Sequence, residues 1–351
     1  MKKNLKKLLN NYKKNRYDKI LNTRDLALLK GMEKESGFKL STKMKKKIDE
    51  YARETFGSVS YAPSLYVYTV YNKEFKEGWI PDNYFGYIVA PIVNKALGPV
   101  ANMKTMSKKI IQTDKLPDKF YVIDRVMYDE NFNIIPYGQI EKTIFSLSDE
   151  YYLKLDYSNQ GKGVFKISRN HFDLNQILNQ GDAVLQTPIK QSKFFDEILT
   201  DNVSTLRILT YKDNNNEIKF AASFLRVGRK NDDIVQASTS IKVPIIDEEG
   251  TFNAFANGDS DWKRFYEHPD TGYKFAGNKI PYFKNAVNDC IDIHKKIPHV
   301  TIIAWDVSIT DEGETQIIEW NAKHPGIKFT EACLGPSFKG LGWENLYKKL
   351  Q

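Results

Sequence analysis

Residues 306–321 read DVSITDEGETQIIEWN, and this stretch decides which fold the chain is predicted to have. An apolar run on each side of a short acidic turn with a glycine predicts a β-hairpin. If residues 312–313 form a two-residue loop, Asp306 lies directly opposite Glu319. Because side chains alternate between the two faces of a sheet, Asp306, Glu319 and Asn321 then emerge on one face.

Two carboxylates that face each other across a hairpin repel and destabilise the strand pair. A divalent cation converts that repulsion into coordination, and ligands that are all oxygen suit Mg²⁺ shared with phosphate groups. The alternative is that one of the acids points to solvent. The apolar neighbours Ile303 and Ile317 favour the metal site, since an acid in a buried strand needs a partner. The pair is therefore a candidate magnesium site.

A second candidate site surrounds Lys154, within residues 151–164, which read YYLKLDYSNQGKGV. The lysine ends a predicted strand, and the loop that follows has two glycines and leads into another strand. Such a loop can fold its backbone N–H groups over phosphates while the lysine neutralises their charge. The loop matches neither G-x-x-x-x-G-K-[ST] nor G-x-G-x-x-G, so an ordinary hairpin stays open as the alternative.

Three arginines on predicted strands form the third candidate group: Arg207, Arg226 and Arg229. Arg207 has an apolar residue on each side, so its side chain faces away from both and can project into a cleft. Guanidinium groups suit bidentate capture of phosphate or carboxylate. Surface ion pairs with nearby acids are the alternative for each arginine.

The order of the predicted elements favours an α+β protein with mostly antiparallel sheet. Residues 1–60 read as helical, and either Ser41 or Thr42 is placed to cap a helix. Strands become frequent from residue 119 onward. The polar residues 213–216 predict a hairpin turn between two of them.

The composition is that of a globular protein, with 41% hydrophobic and 13% aromatic residues. No stretch reaches the roughly 18 apolar residues of a membrane span, and the lysine-rich N-terminus lacks the apolar core of a signal peptide. We therefore expect a cytoplasmic protein. Cys290 and Cys333 fall in no metal-like spacing and are expected to be free thiols.

The formal net charge of +8 is concentrated at the N-terminus. Residues 1–50 carry 16 lysines and arginines against 6 acidic residues, whereas the rest of the chain is nearly neutral. This distribution argues against nucleic acid as a partner. One helix face of the basic segment is apolar and carries Leu5, Leu8, Leu9 and Tyr12. That face either packs on the rest of the protein or contacts an anionic membrane surface or an acidic partner.

Taken in this order, the motifs resemble the ATP-grasp superfamily, and more narrowly its sugar-transfer-associated branch linked with polysaccharide biosynthesis. The likeness runs from about residue 81 to residue 343. Its most specific stretches are Lys154 with residues 160–164 (QGKGV), 184–189 (VLQTPI), 204–208 (STLRI), 268–272 (HPDTG), 304–306 (AWD) and 318–321 (IEWN). Two departures concern Ser204, where the branch usually has Asn, and residues 237–240, where it tends to have paired glycines near the presumed acceptor pocket. The second leaves the substrate open.

The resemblance implies a nucleotide held between two α+β subdomains. Residues 1–110 would form a helical region and the start of the substrate-side domain. Residues 111–185 would form the smaller subdomain with a glycine-rich flap, and residues 186–351 the larger subdomain with the metal site. The implied cofactors are ATP and two Mg²⁺ ions.

The resemblance also implies a role for each candidate residue. The residues matched to nucleotide binding are the phosphate-contacting lysines Lys104 and Lys154, the flap residues Gly161, Lys162 and Gly163, and the strand whose backbone holds adenine, Leu185, Gln186, Thr187 and Pro188. The residues matched to metal binding are Asp306, Glu319 and Asn321. Arg207 would serve the transferred phosphate, and Arg226 and Arg229 are candidates for the acceptor carboxylate.

The implied function is an ATP-dependent carboxylate–amine ligase that forms a C–N bond through an acyl phosphate. Its substrates would be a small-molecule carboxylate and an amine, with a uronic acid, nucleotide-sugar or polysaccharide precursor among the candidates. One alternative is a sugar or alcohol phosphotransferase on the same fold. Another is a nucleotide-binding scaffold that docks on a membrane-bound assembly through the basic N-terminus.

Overall fold

The computed structural model describes residues 2–158, 162–230 and 239–350. The helices are α1 (Lys2–Ser36), α2 (Thr42–Phe56), α3 (Ala62–Asn72), α4 (Asp82–Tyr84), α5 (Ala90–Val93), α6 (Ser107–Ile111), α7 (Ile140–Ile144), α8 (Leu174–Asn179), α9 (Lys193–Ile198), α10 (Phe283–Lys295) and α11 (Lys328–Leu334). The strands are β1 (Asp118–Ile123), β2 (Val126–Asp129), β3 (Glu150–Leu155), β4 (Val164–Ser168), β5 (Ala183–Gln186), β6 (Thr205–Lys212), β7 (Ile218–Val227), β8 (Ile241–Pro244), β9 (Ala256–Gly258), β10 (Arg264–Phe265), β11 (Ile302–Ile309) and β12 (Thr315–Asn321).

Helices α1 to α3 form the N-terminal layer. The sequence predicts helix for residues 1–60, which contain α1 and α2, and α3 lies beyond that range. Ser41 is the N-cap of α2, and its hydroxyl accepts a hydrogen bond of 3.1 Å from the N–H of Met44. Gly57 ends the same helix with a φ of 80°, a left-handed conformation that glycine adopts without strain. Of the apolar face predicted near the N-terminus, Leu9 and Tyr12 are 52% and 67% exposed, so neither packs on the rest of the protein. The side chains of Leu5 and Leu8 lie outside the described residues.

The first sheet has five strands in the order β2-β1-β5-β3-β4, and every pairing in it is antiparallel. One of its faces packs against α7 and α8 in an apolar core that includes Phe120, Leu153 and Leu185. The side chains that alternate with these residues, among them Lys154 and Gln186, therefore lie on the other face.

The second sheet has seven strands in the order β10-β9-β8-β7-β6-β11-β12, again antiparallel throughout. One face packs against α10 through residues such as Ile208 and Trp305. The opposite face packs against the N-terminal helical layer through Leu209, Phe224 and Ala304. Helices and two antiparallel sheets confirm the predicted α+β class.

The hairpin of β11 and β12 has the predicted pairing, but its turn differs from the prediction. Asp306 does lie opposite Glu319. The turn is longer than two residues, however, because the N–H of Thr310 donates to the carbonyl of Glu314 at 3.0 Å across it. A bulge at Ile318 adds one unpaired residue to β12 and restores the register on the far side. The longer turn and the bulge shift the register in opposite directions, so Asp306 still lies opposite Glu319.

Cys290 and Cys333 are free thiols, as predicted. Within the described ranges, none of the helices combines the length and the apolar character that crossing a membrane requires.

Candidate functional site

Three charged side chains lie in one row across β6, β11 and β12. Asp306 pairs with Arg207 on one side and with Glu319 on the other. The Nη2 of Arg207 donates to Oδ2 of Asp306 at 2.9 Å, and its Nε contacts Oδ1 of the same carboxylate. The amide of Asn321 also donates to Oδ2 of Asp306, at 3.3 Å. The structure thus brings together all three predicted metal ligands and adds Arg207 to them.

The donor set fits Mg²⁺ that is shared with a nucleotide. The three residues offer two carboxylates and one amide oxygen. In the described parts of the chain, no group of three or more His, Cys, Asp or Glu residues could hold a metal ion. Mg²⁺ commonly takes only one or two carboxylates from the protein and completes its shell with phosphates and water. Arg207 contacts Asp306, and Nζ of Lys104 lies 3.9 Å from Oε1 of Glu319, so cations already offset the repulsion between the acids.

Lys104 and Lys154 converge on the same hairpin from different elements. Nζ of Lys154, on β3, lies 3.5 Å from the carbonyl oxygen of Ile318 in β12. Nζ of Lys104 donates to the carbonyl of Ser158 at 3.0 Å, three residues before Gly161 of the predicted flap. Burial lowers the pKa of Lys154, and the carboxylate of Glu319 opposes that shift. Burial likewise raises the pKa of Glu319, and the ammonium of Lys104 opposes it. The two sheets therefore meet at a cluster of partly desolvated opposite charges.

The predicted flap is only partly described. Gly161 lies outside the described residues, and Lys162 is exposed. The carbonyl of Gly163 accepts a 2.9 Å hydrogen bond from the N–H of Leu155, and a Cβ at Gly163 would collide with the side chain of Ser158. Glycine at this position thus lets the loop return close to the chain segment that contacts Lys104.

On the predicted adenine strand, one side chain is more available to a ligand than the backbone groups, which are already paired. Leu185 lies in β5, the central strand of its sheet, where its backbone faces β1 and β3. The N–H of Thr187 donates to the carbonyl of Pro117 at 3.0 Å, and Pro188 has no N–H. Gln186 projects from the face that also carries Lys154, and its Nε2 donates to Oδ1 of Asp118 at 2.7 Å.

Arg226 lies near the metal-ligand row, in a group of charges that includes two residues missed by the sequence analysis. Arg226 of β7 pairs in register with Lys242 of β8, and both side chains are mostly buried, with 21% and 12% of their surface exposed. Asp259 lies between them, with Oδ1 at 2.5 Å from Nζ of Lys242 and Oδ2 at 3.8 Å from Nε of Arg226. Among the described residues, Nε of Arg226 has no hydrogen-bond partner.

Burial lowers the pKa of both cations, and the positive charge of Arg207 adds to the effect. Two cations that share one carboxylate leave a local excess of positive charge, which a bound anion would balance. The sequence could have indicated Lys242, because this residue lies between two buried apolar residues of a short strand. No local pattern indicates Asp259, because only the tertiary fold brings it close to Lys242.

Arg229 has a different neighbour. Its Nε and Nη2 each lie 2.7 Å from a carboxylate oxygen of Asp270, a bidentate pair that holds the pKa of Asp270 well below its usual range. His268 is buried beside this pair, and its Nε2 lies 3.1 Å from the carbonyl oxygen of Gly228. Residues 268–272 therefore contact the end of β7 and form an ion pair with Arg229 there.

Comparison with solved structures gives several synthetases at low sequence identity. The chain is similar to D-alanyl-alanine synthetase A from Vibrio cholerae O1 biovar eltor str. N16961, with 12% identity and a TM-score of 0.40 over 71% of this chain and 64% of that chain. It is similar to N5-carboxyaminoimidazole synthetase from Staphylococcus aureus complexed with ADP, with 12% identity and a TM-score of 0.39 over 64% and 45% of the two chains.

A third similar structure is N5-carboxyaminoimidazole ribonucleotide synthetase from Thermotoga maritima, with 13% identity and a TM-score of 0.39 over 80% of this chain and 54% of that chain. The chain spans less than two thirds of the length of each of these proteins. A search of curated proteins gave no match.

A comparison with family profiles gives a match that includes nearly all of the candidate site residues. The profile described as sugar-transfer associated ATP-grasp matches residues 115–343, well over half of the chain. That range contains all twelve strands described above and every candidate site residue except Lys104. The chain therefore belongs to the sugar-transfer associated ATP-grasp family and has the ATP-grasp fold.

Proposed function

We propose that this protein is an ATP-dependent carboxylate–amine ligase that works through an acyl phosphate. The observation that carries the proposal is the opposed pair Asp306 and Glu319, flanked by Arg207, Lys104 and Lys154 where the two sheets meet. Such a site concentrates positive groups around two oxygen ligands, and phosphoryl transfer from ATP is catalysed mainly by positioning and charge stabilisation.

The proposed reaction has two steps. A carboxylate oxygen of the first substrate attacks the γ-phosphorus of ATP, and the bond from that phosphorus to the bridging oxygen breaks to release ADP. The amine nitrogen of the second substrate then attacks the acyl carbon, phosphate leaves with the bonding electrons, and the nitrogen loses a proton. The product is an amide, and no protein nucleophile is needed.

Each charged residue has a role in the first step. Asp306, Glu319 and Asn321 would hold Mg²⁺, which when bound offsets charge on the nucleotide phosphates. Arg207 would turn from Asp306 toward the transferred phosphoryl group, whose equatorial oxygens it suits geometrically. Lys104 and Lys154 would contact the remaining phosphate oxygens. These contacts would be stronger in the partly buried cleft than in water.

The acceptor carboxylate is proposed to bind at Arg226 and Lys242. The excess positive charge of this pair over Asp259 favours an anion there, and Arg226 has an Nε without a partner in the described chain. Arg229 is left out of this role because its guanidinium is engaged by Asp270. The words "sugar-transfer associated" in the family description favour a sugar-linked substrate, and we propose a uronic acid or a nucleotide-sugar as the source of the carboxylate.

ADP release tests the proposal. Purified protein with Mg²⁺ and ATP would be screened against nucleotide-sugar uronates paired with amino acids and amino alcohols, and the products would be weighed by mass spectrometry. We expect ADP release that requires both substrates and a product that lacks added phosphate. A phosphate ester on a hydroxyl group, as distinct from the acyl phosphate that the ligase itself forms, would contradict the ligase and support the phosphotransferase.

The variant Glu319→Gln tests the metal site directly. We expect it to abolish ADP release while the protein stays folded, because the amide supplies no charge to the cation. Glu312→Gln is a matched control, since Glu312 is exposed in the turn of the same hairpin and should leave the rate unchanged. Full activity of Glu319→Gln would overturn the metal assignment.

A further inference from the structure

His324 lies beside the proposed phosphoryl-transfer site, in the segment that follows β12. It comes three residues after the proposed metal ligand Asn321, so the Cα atoms of the two residues are at most about 11 Å apart. The carbonyl of the next residue, Pro325, accepts a hydrogen bond of 3.4 Å from Nη1 of Arg207. The backbone that carries His324 therefore contacts the guanidinium that is proposed to bind the transferred phosphoryl group.

The ring of His324 lies where the N-terminal helical layer meets the charged row of the seven-stranded sheet. Ala304 of β11 packs against that layer, and Asp306, two residues further along the strand and on the same face, belongs to the charged row. The ring centroid of His324 lies 6.0 Å from that of Phe85 in the layer. The side chain of His324 is exposed, so a substrate that enters beside the charged row can reach it.

Tyr17 of α1 and Gly86 hold the imidazole ring in place. Nε2 of His324 lies 3.2 Å from the hydroxyl oxygen of Tyr17. Gly86 belongs to a π-helical turn, Phe85–Val89, and a Cβ at this position would collide with both the hydroxyl of Tyr17 and Nε2 of His324. Turns of this kind are rare and are frequent at functional sites. Tyr17 and Gly86 both precede the range matched by the family profile, so this arrangement belongs to the N-terminal layer of this chain.

Negative charge lies close to the pair of His324 and Tyr17. Burial raises the pKa of Tyr17, and the carboxylates of Asp82 and Asp18 raise it further. The same carboxylates favour a protonated imidazole beside the hydroxyl. Within the described parts of the chain, no hydrogen bond joins Nδ1 of His324 to another group. One ring nitrogen thus has a fixed partner, and the other is available to take up a proton.

The second step of the proposed reaction needs a proton acceptor, because the amine nitrogen becomes positively charged as it bonds to the acyl carbon. Histidine is the side chain that most often serves as a general base. His268 and His294 are unsuited to this role, since each is buried and has both ring nitrogens hydrogen-bonded. His324 combines an available nitrogen with a position beside Arg207.

We propose that His324 is the general base of amide formation and that Tyr17 is the residue that positions it. Nε2–H of His324 donates to the hydroxyl oxygen of Tyr17, and the lone pair of Nδ1 takes the proton from the amine nitrogen as that nitrogen attacks the acyl carbon. The bond from the acyl carbon to the phosphate oxygen breaks, and phosphate leaves with the bonding electrons. This inference rests on the proposed function and gives the N-terminal layer a part in its second step.

Hydroxylamine separates the two steps, because it attacks acyl phosphates without the help of a base and gives a hydroxamate. The full chain would be assayed with ATP, Mg²⁺ and the uronate that gives ADP release in the substrate screen, together with either the amine at saturation or hydroxylamine. In His324→Ala, amide formation should fall about 10²-fold or more, whereas hydroxamate formation should stay within about 3-fold of the wild type.

Added imidazole tests whether the missing group is a base. It should raise amide formation by His324→Ala at least about 10-fold, in proportion to the concentration of neutral imidazole, and should leave hydroxamate formation unchanged. Tyr17→Phe keeps the ring that packs against Tyr87 and removes the hydroxyl, so it should lower amide formation about 10-fold and spare the hydroxamate. His299→Ala, at an exposed position before β11, is the control and should match the wild type in both assays.

The outcomes separate this inference from the proposed function. A wild-type rate of amide formation in His324→Ala overturns the inference, as does an equal loss of amide and hydroxamate or a loss that imidazole does not restore. In each of these cases the wild type still forms the amide, so the proposed function stands. A wild type that forms no hydroxamate with any carboxylate of the screen overturns the inference together with the proposed function. Loss of the amide alone, with recovery in imidazole, supports both.

Discussion

Arg207 is the residue at which the proposed phosphate site and the proposed metal site meet. Its guanidinium makes a bidentate pair with Asp306, so in the proposed mechanism it would exchange that partner for phosphate when nucleotide and Mg²⁺ bind. We expect Arg207→Lys to lower the rate of ADP release by about 10²-fold or more, because an ammonium group cannot make two parallel hydrogen bonds.

Steady-state kinetics would measure the effect of Arg207→Lys, and the thermal midpoint would show that the protein remains folded. Arg53→Lys, at an exposed position of α2, is the control with an expected rate near that of the wild type. A wild-type rate for Arg207→Lys would remove Arg207 from the proposed chemistry.

His294 contributes a pH dependence of stability. It is fully buried, its Nδ1 lies 2.8 Å from the hydroxyl of Thr210 and its Nε2 lies 2.9 Å from the carbonyl of Val300. Burial lowers its pKa to about 4. The unfolded chain takes up this proton near pH 6.5, so stability is complete above that pH and is lost as pH falls toward 4. The expected loss is about 2 kcal/mol by pH 5.

Urea unfolding at pH 7 and pH 5 would measure this loss. His294→Gln should be less stable at pH 7 but should lose about 2 kcal/mol less than the wild type between the two pH values. His299→Gln, at an exposed position, should keep the wild-type loss. An unchanged loss in His294→Gln would show that other groups carry the pH dependence.

At the scale of elements, the β11–β12 hairpin shows how far a sequence pattern reaches. An assumed two-residue loop at residues 312–313 placed Asp306 opposite Glu319, and the structure confirms the pair. The details were wrong in two compensating ways, a longer turn and a bulge at Ile318, because either one alone shifts the register by a residue. Local periodicity predicts which face of the sheet a residue lies on. It does not reveal a turn that is one residue longer or a β-bulge of one residue.

Asn94 joins the end of α5 to both strands of that hairpin. Its Nδ2 donates to the carbonyls of Ile302 at 2.8 Å and Ala322 at 2.7 Å, and its Oδ1 accepts from the N–H groups of Thr301 and Ile302. The residue is fully buried. We expect Asn94→Ala to lower the free energy of unfolding by about 3 kcal/mol, because three buried backbone groups and the partly buried N–H of Thr301 lose their partner.

Chemical denaturation would measure the effect, and Asn215→Ala in the exposed β6–β7 turn should change stability by less than about 0.5 kcal/mol. Equal stability of the two variants would mean that water replaces the lost amide. In that case Asn94 would not be what fixes the end of β12 near Asn321.

At the scale of the whole molecule, the sequence predicted the α+β class and the order of the motifs but not the complete charge cluster. The pairs of Arg226 with Lys242 and of Lys242 with Asp259 depend on neighbouring strands that only the folded sheet defines. Arg229 was predicted from the same pattern as Arg226, yet it lies past the end of β7 and engages Asp270. Strand ends and long-range pairs carry no periodic signal in one sequence.

We expect that the basic N-terminal segment can be removed without disturbing the layer behind it. Among the side chains that the structure describes, those of Leu9 and Tyr12 are exposed, Nζ of Lys14 lies 4.8 Å from the ring centroid of Tyr61, and further contacts follow at Tyr17 and Asp18. Deletion of residues 2–12 should therefore shift the thermal midpoint by less than about 2 °C and leave ADP release intact.

Co-sedimentation with vesicles that contain phosphatidylglycerol would test the same deletion for a docking role. Loss of sedimentation with ADP release intact would support membrane or partner contact through this segment, and unchanged sedimentation would contradict it. A deletion of residues 1–20 is less informative, because it also removes Tyr17 and Asp18 from their contacts with His324 and Asn83.

The bulge at Ile318 has a consequence for how this gene can vary. Loss of the single codon for Ile318 would leave every other pair of β11 and β12 in place, with the aspartate still opposite the glutamate. What disappears is the main-chain oxygen that Lys154 approaches from the other sheet. An in-frame deletion of three nucleotides would thus retain the carboxylates and lose only the contact that draws the lysine toward them.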